Sequence, residues 1–218
     1  MFITLEGPDG AGKTTQINLL ASIAKNENYL LTRNPGGTEF GLKLREILLN
    51  DNSVSPSAIA ELMLYMSDRA QHIETVIKPA LAKNQIVICD RFIDSTVVYQ
   101  GYARGLNIDF IKQLNDFVCQ GLKPDLTFLL DIDANIGFGR LKSKDKIEAE
   151  GLDFQKKVRA GFLELASQEP NRFEIIDTNA LNELQVHEKI KNKIMTYAKT
   201  LSFQQLTRKT FPKCEQSL

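Results

Sequence analysis

The chain has 218 residues, 43% hydrophobic and 25% charged, with 27 basic and 27 acidic side chains and a formal net charge of zero. That length suits one domain with a substantial core, and the composition is that of a soluble globular protein. The even balance excludes a global basic field for nucleic acid or an anionic membrane, so any phosphate binding must come from local clusters. Apolar runs are strand-length, far short of a membrane span, and no basic region with an apolar core precedes the first strand; neither anchor nor signal peptide is predicted. Cys89, Cys119 and Cys214 are odd in number and widely spaced, which predicts reduced thiols of a cytoplasmic protein rather than metal ligands. His72 and His187 are isolated and are expected to be surface or helix-packing residues.

In chain order, the apolar run Phe2-Ile3-Thr4-Leu5 leads into Gly7-Pro8-Asp9-Gly10-Ala11-Gly12-Lys13-Thr14-Thr15, and a helical pattern follows with Ile17, Leu20, Ala21 and Ala24 on one face. A strand, a glycine-rich turn and a helix opening form the setting in which G-x-x-x-x-G-K-[ST] binds phosphate. Gly7, Gly10 and Gly12 let successive backbone N–H groups turn toward phosphate oxygens, and the helix adds its positive end. Lys13 is expected at the β- and γ-phosphates of a bound nucleotide and Thr14 on Mg²⁺. Further strands are predicted at Tyr29–Thr32, Ile86–Asp90, Leu126–Asp131 and Glu174–Asp177. Helices are predicted near 13–26, 39–50, 56–83, 108–120, 133–143, 153–168 and 180–200. This alternation predicts a doubly wound α/β fold, a five-stranded parallel sheet flanked by helices in three layers, in a single domain spanning 1–201. The polar stretch 202–218 lacks periodicity and is expected to be a loosely docked or disordered tail.

Ligands of such sheets bind at the carboxyl ends of the strands, and the polar residues gather there. Asp90 closes an apolar strand, where a carboxylate can hold Mg²⁺ or cap a helix. Arg91 after it suits bidentate binding of a phosphate, or a salt bridge to Asp94. The run Arg140-Leu141-Lys142-Ser143-Lys144-Asp145-Lys146 is by itself an ordinary solvated cluster.

The stretch from Ile88 to Gln100, together with the phosphate loop and Thr32-Arg33-Asn34-Pro35-Gly36-Gly37-Thr38, resembles the pattern of thymidylate kinases. Tyr65-Met66-Ser67-Asp68-Arg69, Lys123-Pro124-Asp125-Leu126-Thr127, Ile147-Glu148 and Asp153-Phe154 extend the resemblance over roughly residues 1–200. It implies a P-loop NTPase fold and transfer of the γ-phosphate of ATP to dTMP in a homodimer. It implies that Tyr65 stacks on the thymine and Arg69 bonds a base carbonyl. Arg91 would hold the acceptor phosphate, and Ser95, Thr96 and Gln100 would line the nucleoside pocket. Tyr99 would crowd the 2′ position, and Asp9 would meet the 3′-hydroxyl or the metal. The segment 140–151 corresponds to a lid, with Arg140 against the adenine and Lys144 supplying a catalytic cation that Gly10 does not.

Three departures accompany the match. Asn34 stands where bacterial relatives commonly carry glutamate, the lid holds Lys142, Lys144 and Lys146 in place of arginines, and the lid is short. A kinase for another nucleoside monophosphate or for a deoxynucleoside, with Asp9 or Glu6 as base, is the alternative within enzymes. A nucleotide switch is the alternative outside them. Against a switch, no guanine-recognising Asn/Thr-Lys-x-Asp stretch follows the fourth strand.

Overall fold

The computed structural model describes residues 1–21, 28–141 and 145–210, with side chains as far as Lys199. Five strands, β1 (Phe2–Glu6), β2 (Tyr29–Arg33), β3 (Ile86–Asp90), β4 (Leu126–Asp131) and β5 (Phe173–Asp177), form one sheet in the order β2-β3-β1-β4-β5. All four pairings are parallel, so each connection crosses over a face of the sheet. Burial on both faces is why β1 and β4 are apolar almost throughout.

The period of two divides β1 between two cores. Ile3 and Leu5 pack with Leu20 of α1 (Lys13–Ala21) and with Val186, Ile190 and Ile194 of α9 (Glu183–Thr210). Phe2 points the other way, into a core with Ile73, Ile77 and Phe92. On that second face also lie α3 (Ala58–His72), α6 (Ile108–Cys119) and α8 (Leu152–Gln168), joined through Leu62, Ile111, Val158 and Phe162. The three layers are those expected. So are the five strands, whose limits differ by one residue at the end of β2 and the start of β5.

Helix limits follow local chemistry. Thr38 caps α2 (Glu39–Arg45), its hydroxyl accepting from Gly41 N at 2.9 Å, and Asn107 caps α6 in the same way from Phe110 N at 2.9 Å. The predicted rod 56–83 is α3, a wider-wound stretch Ile73–Ile77 and α4 (Lys78–Ala82) in succession. Among the described residues, a single 3-10 turn at Glu148–Glu150 and one longer helical region were not predicted as elements. A short α5 (Ile93–Thr96) runs into wide turns at Val97–Ala103, where the β-branched Thr96-Val97-Val98 run disfavours a helix on propensity, and packing against α8 overrides it. The last helix continues to Thr210, through the first part of the expected tail; residues 211–218 lie outside the described residues. Ala24 and the end of the predicted helix 13–26 lie outside them too. No described helix is long and apolar enough to cross a membrane.

Candidate active site

A cavity of about 480 Å³ opens at the carboxyl ends of β1, β2 and β3. The loop after β1 forms one wall. Gly7 has φ +143°, and a Cβ there would stand 2.4 Å from the Leu130 carbonyl oxygen. Gly10, at φ +79°, lies against α7 (Ala134–Arg140), where a Cβ would come within 2.2 Å of the Gly137 oxygen. Both positions need glycine for conformation and for close approach of another backbone. Lys13 Nζ donates to the carbonyls of Gly7 and Pro8 at 2.9 and 2.7 Å. Burial and the nearby Arg91 lower its ammonium to about 8, against the pull of Asp9 and Asp90. Gly12, Thr14 and Thr15 line the cavity, whereas Ala11 is buried in the core beside α1.

The end of β3 supplies the opposing charge. Arg91 has φ +62°, a left-handed conformation that is costly for a side chain with a Cβ. Its guanidinium donates to Gly7 O at 3.0 Å, to Ser95 Oγ at 3.1 Å and to Asp9 Oδ1, and lies 5.1 Å from the centre of the Tyr99 ring. Asp9 Oδ2 accepts from Tyr99 Oη and from Gln155 Nε2, each at 3.0 Å. Burial pushes the Asp9 carboxyl up, but Arg91 and Lys13 outweigh it and hold it below the usual carboxylate range. Burial also opposes the charge on Arg91, yet Tyr99, Asp9, Asp90 and Glu6 restore it with excess.

Asp90 faces the same cavity, and its Oδ1 is buried without a hydrogen-bond partner. An orphaned carboxylate oxygen in a cavity that Thr14 also lines is a donor suited to a hard divalent cation, so the residues fit Mg²⁺.

Farther along the cavity stand Tyr65, Arg69, Thr96 and Gln100. Arg69 is 1% exposed and donates to Asn34 Oδ1, Asn115 Oδ1, the Phe92 carbonyl and Thr96 Oγ1, at 2.5 to 3.2 Å. Gln100 Nε2 donates to Glu61 Oε1 at 2.9 Å. At the other end Arg140 reaches the loop, its Nη1 donating to Gly10 O at 3.3 Å.

A thymidylate kinase family model matches residues 5–190 of the chain. A thymidylate kinase of Synechococcus sp. (strain JA-2-3B'a(2-13)) is 52% identical over 174 residues, 79% of this chain and 84% of that protein. One from Wolbachia pipientis wMel is 48% identical over 199 residues, 89% of this chain and all of that protein. The crystal structure of thymidylate kinase from Ehrlichia chaffeensis superposes with a TM-score of 0.74 at 37% identity, covering 89% of this chain and 98% of that one. The chain belongs to the thymidylate kinase family.

Membership makes this chain a phosphotransferase and gives each side chain a context. Asp9, Gly10, Gly12, Lys13, Thr14, Thr15, Tyr65, Arg69, Asp90, Arg91, Ser95, Thr96, Tyr99, Gln100 and Arg140 all face one cavity. Gly7 and Pro8 instead serve it through carbonyls that hold Lys13. Lys142 and Lys144 lie outside the described residues. Lys146 is turned elsewhere: its Nζ donates to the carbonyls of Ile47 and Val54 at 3.0 and 2.7 Å. It fastens the segment after α7 to the stretch that follows α2.

Of the three departures, Lys146 is explained by these bonds and Asn34 by its neighbours; nothing in the structure explains the length of the segment. Asn34 bridges Arg69 and Asp68, accepting from the first and donating to the second, which a glutamate could not do while ionised. Gly10 does more than omit a cation, since α7 packs against it. His72 is wholly buried, its Nε2 2.7 Å from Thr32 Oγ1 and close under Gly37, so it fastens α3 to the turn after β2.

Three contributors, Arg33, Arg45 and Gln155, were not singled out as site residues from sequence, and Glu6 was weighed only as a base for a hydroxyl acceptor. Arg33 and Arg45 line the cavity beside Asn34. Gln155 occupies the buried stripe of α8 with Val158, Phe162 and Leu165, and a lone amide in an apolar stripe was the available signal. Glu6, fully buried at the end of β1, carried the same kind of signal.

Proposed function

We propose that the chain transfers the γ-phosphate of ATP to dTMP, giving dTDP, with both nucleotides held in this one cavity. The observation that carries the assignment is the convergence of a donor-phosphate loop, Gly7–Thr15, with a second phosphate-binding cation, Arg91, and a half-buried ring, Tyr65, in that cavity. A nucleotide switch needs only the first of these. In this reading the loop amides and Lys13 bind the β- and γ-phosphates, and Arg140 covers the adenine. Arg91, with Arg45 nearby, takes the acceptor phosphate. Tyr65 stacks on the thymine, and Tyr99 fills the space a 2′-hydroxyl would need. Arg69 reaches the base by exchanging one of its present protein partners.

Thr14 and Asp90 would hold Mg²⁺, which neutralises charge between the β- and γ-phosphates when bound. The acceptor phosphate is largely a dianion at neutral pH and loses no proton before attack, so the protein's work is positioning and charge neutralisation. A hydroxyl acceptor fits poorly. Glu6 does not line the cavity, and Asp9 is already engaged by Arg91, Tyr99 and Gln155. Lys144 retains its proposed part as the lid cation.

Two further features support the family's expected setting. Helices α2, α3 and α6 pack together and expose Phe40, Leu42, Ile59, Met63, Phe110 and Phe117, an apolar surface suited to a homodimer. Cys89 and Cys119 are buried and unpaired, as reduced thiols of a cytoplasmic protein would be. An ADP-release assay with ATP–Mg²⁺ and a panel of nucleoside monophosphates and nucleosides tests the assignment. Highest kcat/KM with dTMP is expected; a higher value with any other acceptor overturns it.

A further inference from the structure

Glu6 is a buried acid whose charge the transfer chemistry does not use. It shares the sheet face of Phe2 and Thr4, is 0% exposed and does not line the cavity. Oε1 accepts from Phe92 N at 2.7 Å and from Ser95 N at 3.3 Å, and Oε2 accepts from Ser95 Oγ at 2.6 Å. Three donors thus converge on one side chain from the segment that begins with Arg91.

Two consequences follow from hydrogen-bond direction. A carboxylate only accepts, so it commits the Ser95 hydroxyl proton to Oε2. Ser95 Oγ then turns a lone pair to Arg91 Nη1, 3.1 Å away. The second consequence concerns backbone. Arg91 sits at φ +62° and Phe92 follows at φ −157°, ψ −135°, a turn that needs external support. The Phe92 amide donating to Glu6 supplies it. The neighbouring acid, Asp94, is not a competitor, because Arg172 binds it through two bonds of 2.7 and 2.8 Å.

We propose that Glu6 is a positioning residue for Arg91: through the Ser95 hydroxyl and the Phe92 amide, its carboxylate sets the orientation in which the guanidinium meets the acceptor phosphate. Asp9 holds the guanidinium from the cavity side, where an incoming phosphate competes with it. Glu6 holds it from beneath, out of reach of any ligand. An amide at position 6 would present N–H groups to a site built of donors, and the Ser95 hydroxyl would then be free to turn its proton toward the guanidinium.

This inference rests on Arg91 binding the acceptor, so Arg91→Ala is measured alongside. Burial raises Glu6 to about 7, so the carboxylate is the prevailing form only at alkaline pH; steady-state KM for dTMP and for ATP is therefore determined at roughly pH 8.5 for wild type, Glu6→Gln, Ser95→Ala, Ser95→Thr, the Glu6→Gln/Ser95→Ala double variant and Arg91→Ala. Glu6→Gln and Ser95→Ala are each expected to raise the dTMP KM by roughly tenfold and to leave the ATP KM within about twofold, with little further loss in the double variant because both break one link. Ser95→Thr, which keeps the hydroxyl, should recover most of the dTMP affinity that Ser95→Ala loses. A Glu6→Gln dTMP KM within about twofold of wild type, where Arg91→Ala raises it tenfold or more, overturns the role of Glu6 alone. Multiplicative effects of Glu6→Gln and Ser95→Ala, or equal rises in both KM values, overturn it as well. An unchanged dTMP KM in Arg91→Ala overturns the assignment of Arg91 and this inference together. If Glu6→Gln fails to fold, the Ser95→Ala and Ser95→Thr pair decides: loss on the first and retention on the second supports the link, and any other pattern overturns it.

Discussion

Arg91 is the side chain on which the site turns. It is joined to the loop carbonyl of Gly7, to Asp9 and to Ser95, and its own backbone is held in a left-handed conformation. Removing it should weaken acceptor binding by roughly 10–100-fold, the value of a charge-assisted phosphate contact, with ATP binding little affected; separate KM measurements check this. Lys13→Ala should lower kcat by roughly 10²–10³-fold, since it removes a donor aimed at developing charge, and single-turnover kinetics would report it. Tyr99→Phe keeps the ring over Arg91 and gives up the 3.0 Å bond to Asp9, so discrimination between dTMP and UMP should survive it. Tyr99→Ala opens the space and should relax that discrimination; equal loss on both acceptors would count against the sugar gate. Most of these residues were legible in the chain because phosphate chemistry permits few residue types at fixed spacing. Gln155 was not singled out and Glu6 was read only as a possible base, because what each does depends on what stands opposite it, and nothing local says that Asp9 or Ser95 does.

At the scale of elements, the site depends on backbones that approach closely. The phosphate loop touches α7 at Gly10 and Gly137, where an added Cβ would meet a carbonyl oxygen at 2.2 Å. Gly10→Ala must therefore displace α7, which carries Arg140, as well as strain its own φ of +79°. It is expected to lower the unfolding midpoint and to raise the ATP KM together; a change in neither would show that α7 yields freely. The segment expected to be a lid is fastened at its far side by Lys146 to the carbonyls of Ile47 and Val54. The lysine run by itself reads as a solvated cluster, and the resemblance singles out Arg140 and Lys144 in it; a run of like charges does not tell that Lys146 turns away. The helical region 93–103 was hidden for a comparable reason. Its β-branched residues argue against a helix locally, and only burial of Val97, Val98 and Tyr99 beside α8 selects one.

Across the whole molecule, two buried titratable groups give stability opposite dependences on pH. Burial, with Arg69 nearby, lowers His72 to about 4 from its ordinary 6.5, so its contribution is present above 6.5 and lost as pH falls through 4. Burial and Asp94 raise Glu6 from 4.5 to about 7, so its contribution is present below 4.5 and lost as pH rises through 7. Each is worth at most about 3 kcal/mol, and between pH 4.5 and 6.5 the two slopes oppose each other. Urea unfolding across that window should find wild type nearly level, His72→Gln losing stability as pH rises, and Glu6→Gln gaining it. Parallel curves for all three proteins would contradict this account. Sequence by itself determined the alternation of strands and helices, the glycine-rich loop with Lys13 and the arginine that follows β3, because periodicity and motif spacing are local properties of the chain. Only the tertiary structure decided the strand order β2-β3-β1-β4-β5, the burial of Glu6 beneath Arg91, the reach of Gln155 to Asp9 and the turning away of Lys146. Each of these joins residues tens of positions or more apart, and such contacts are chosen by packing, in which a donor or a charge takes its meaning from its neighbour.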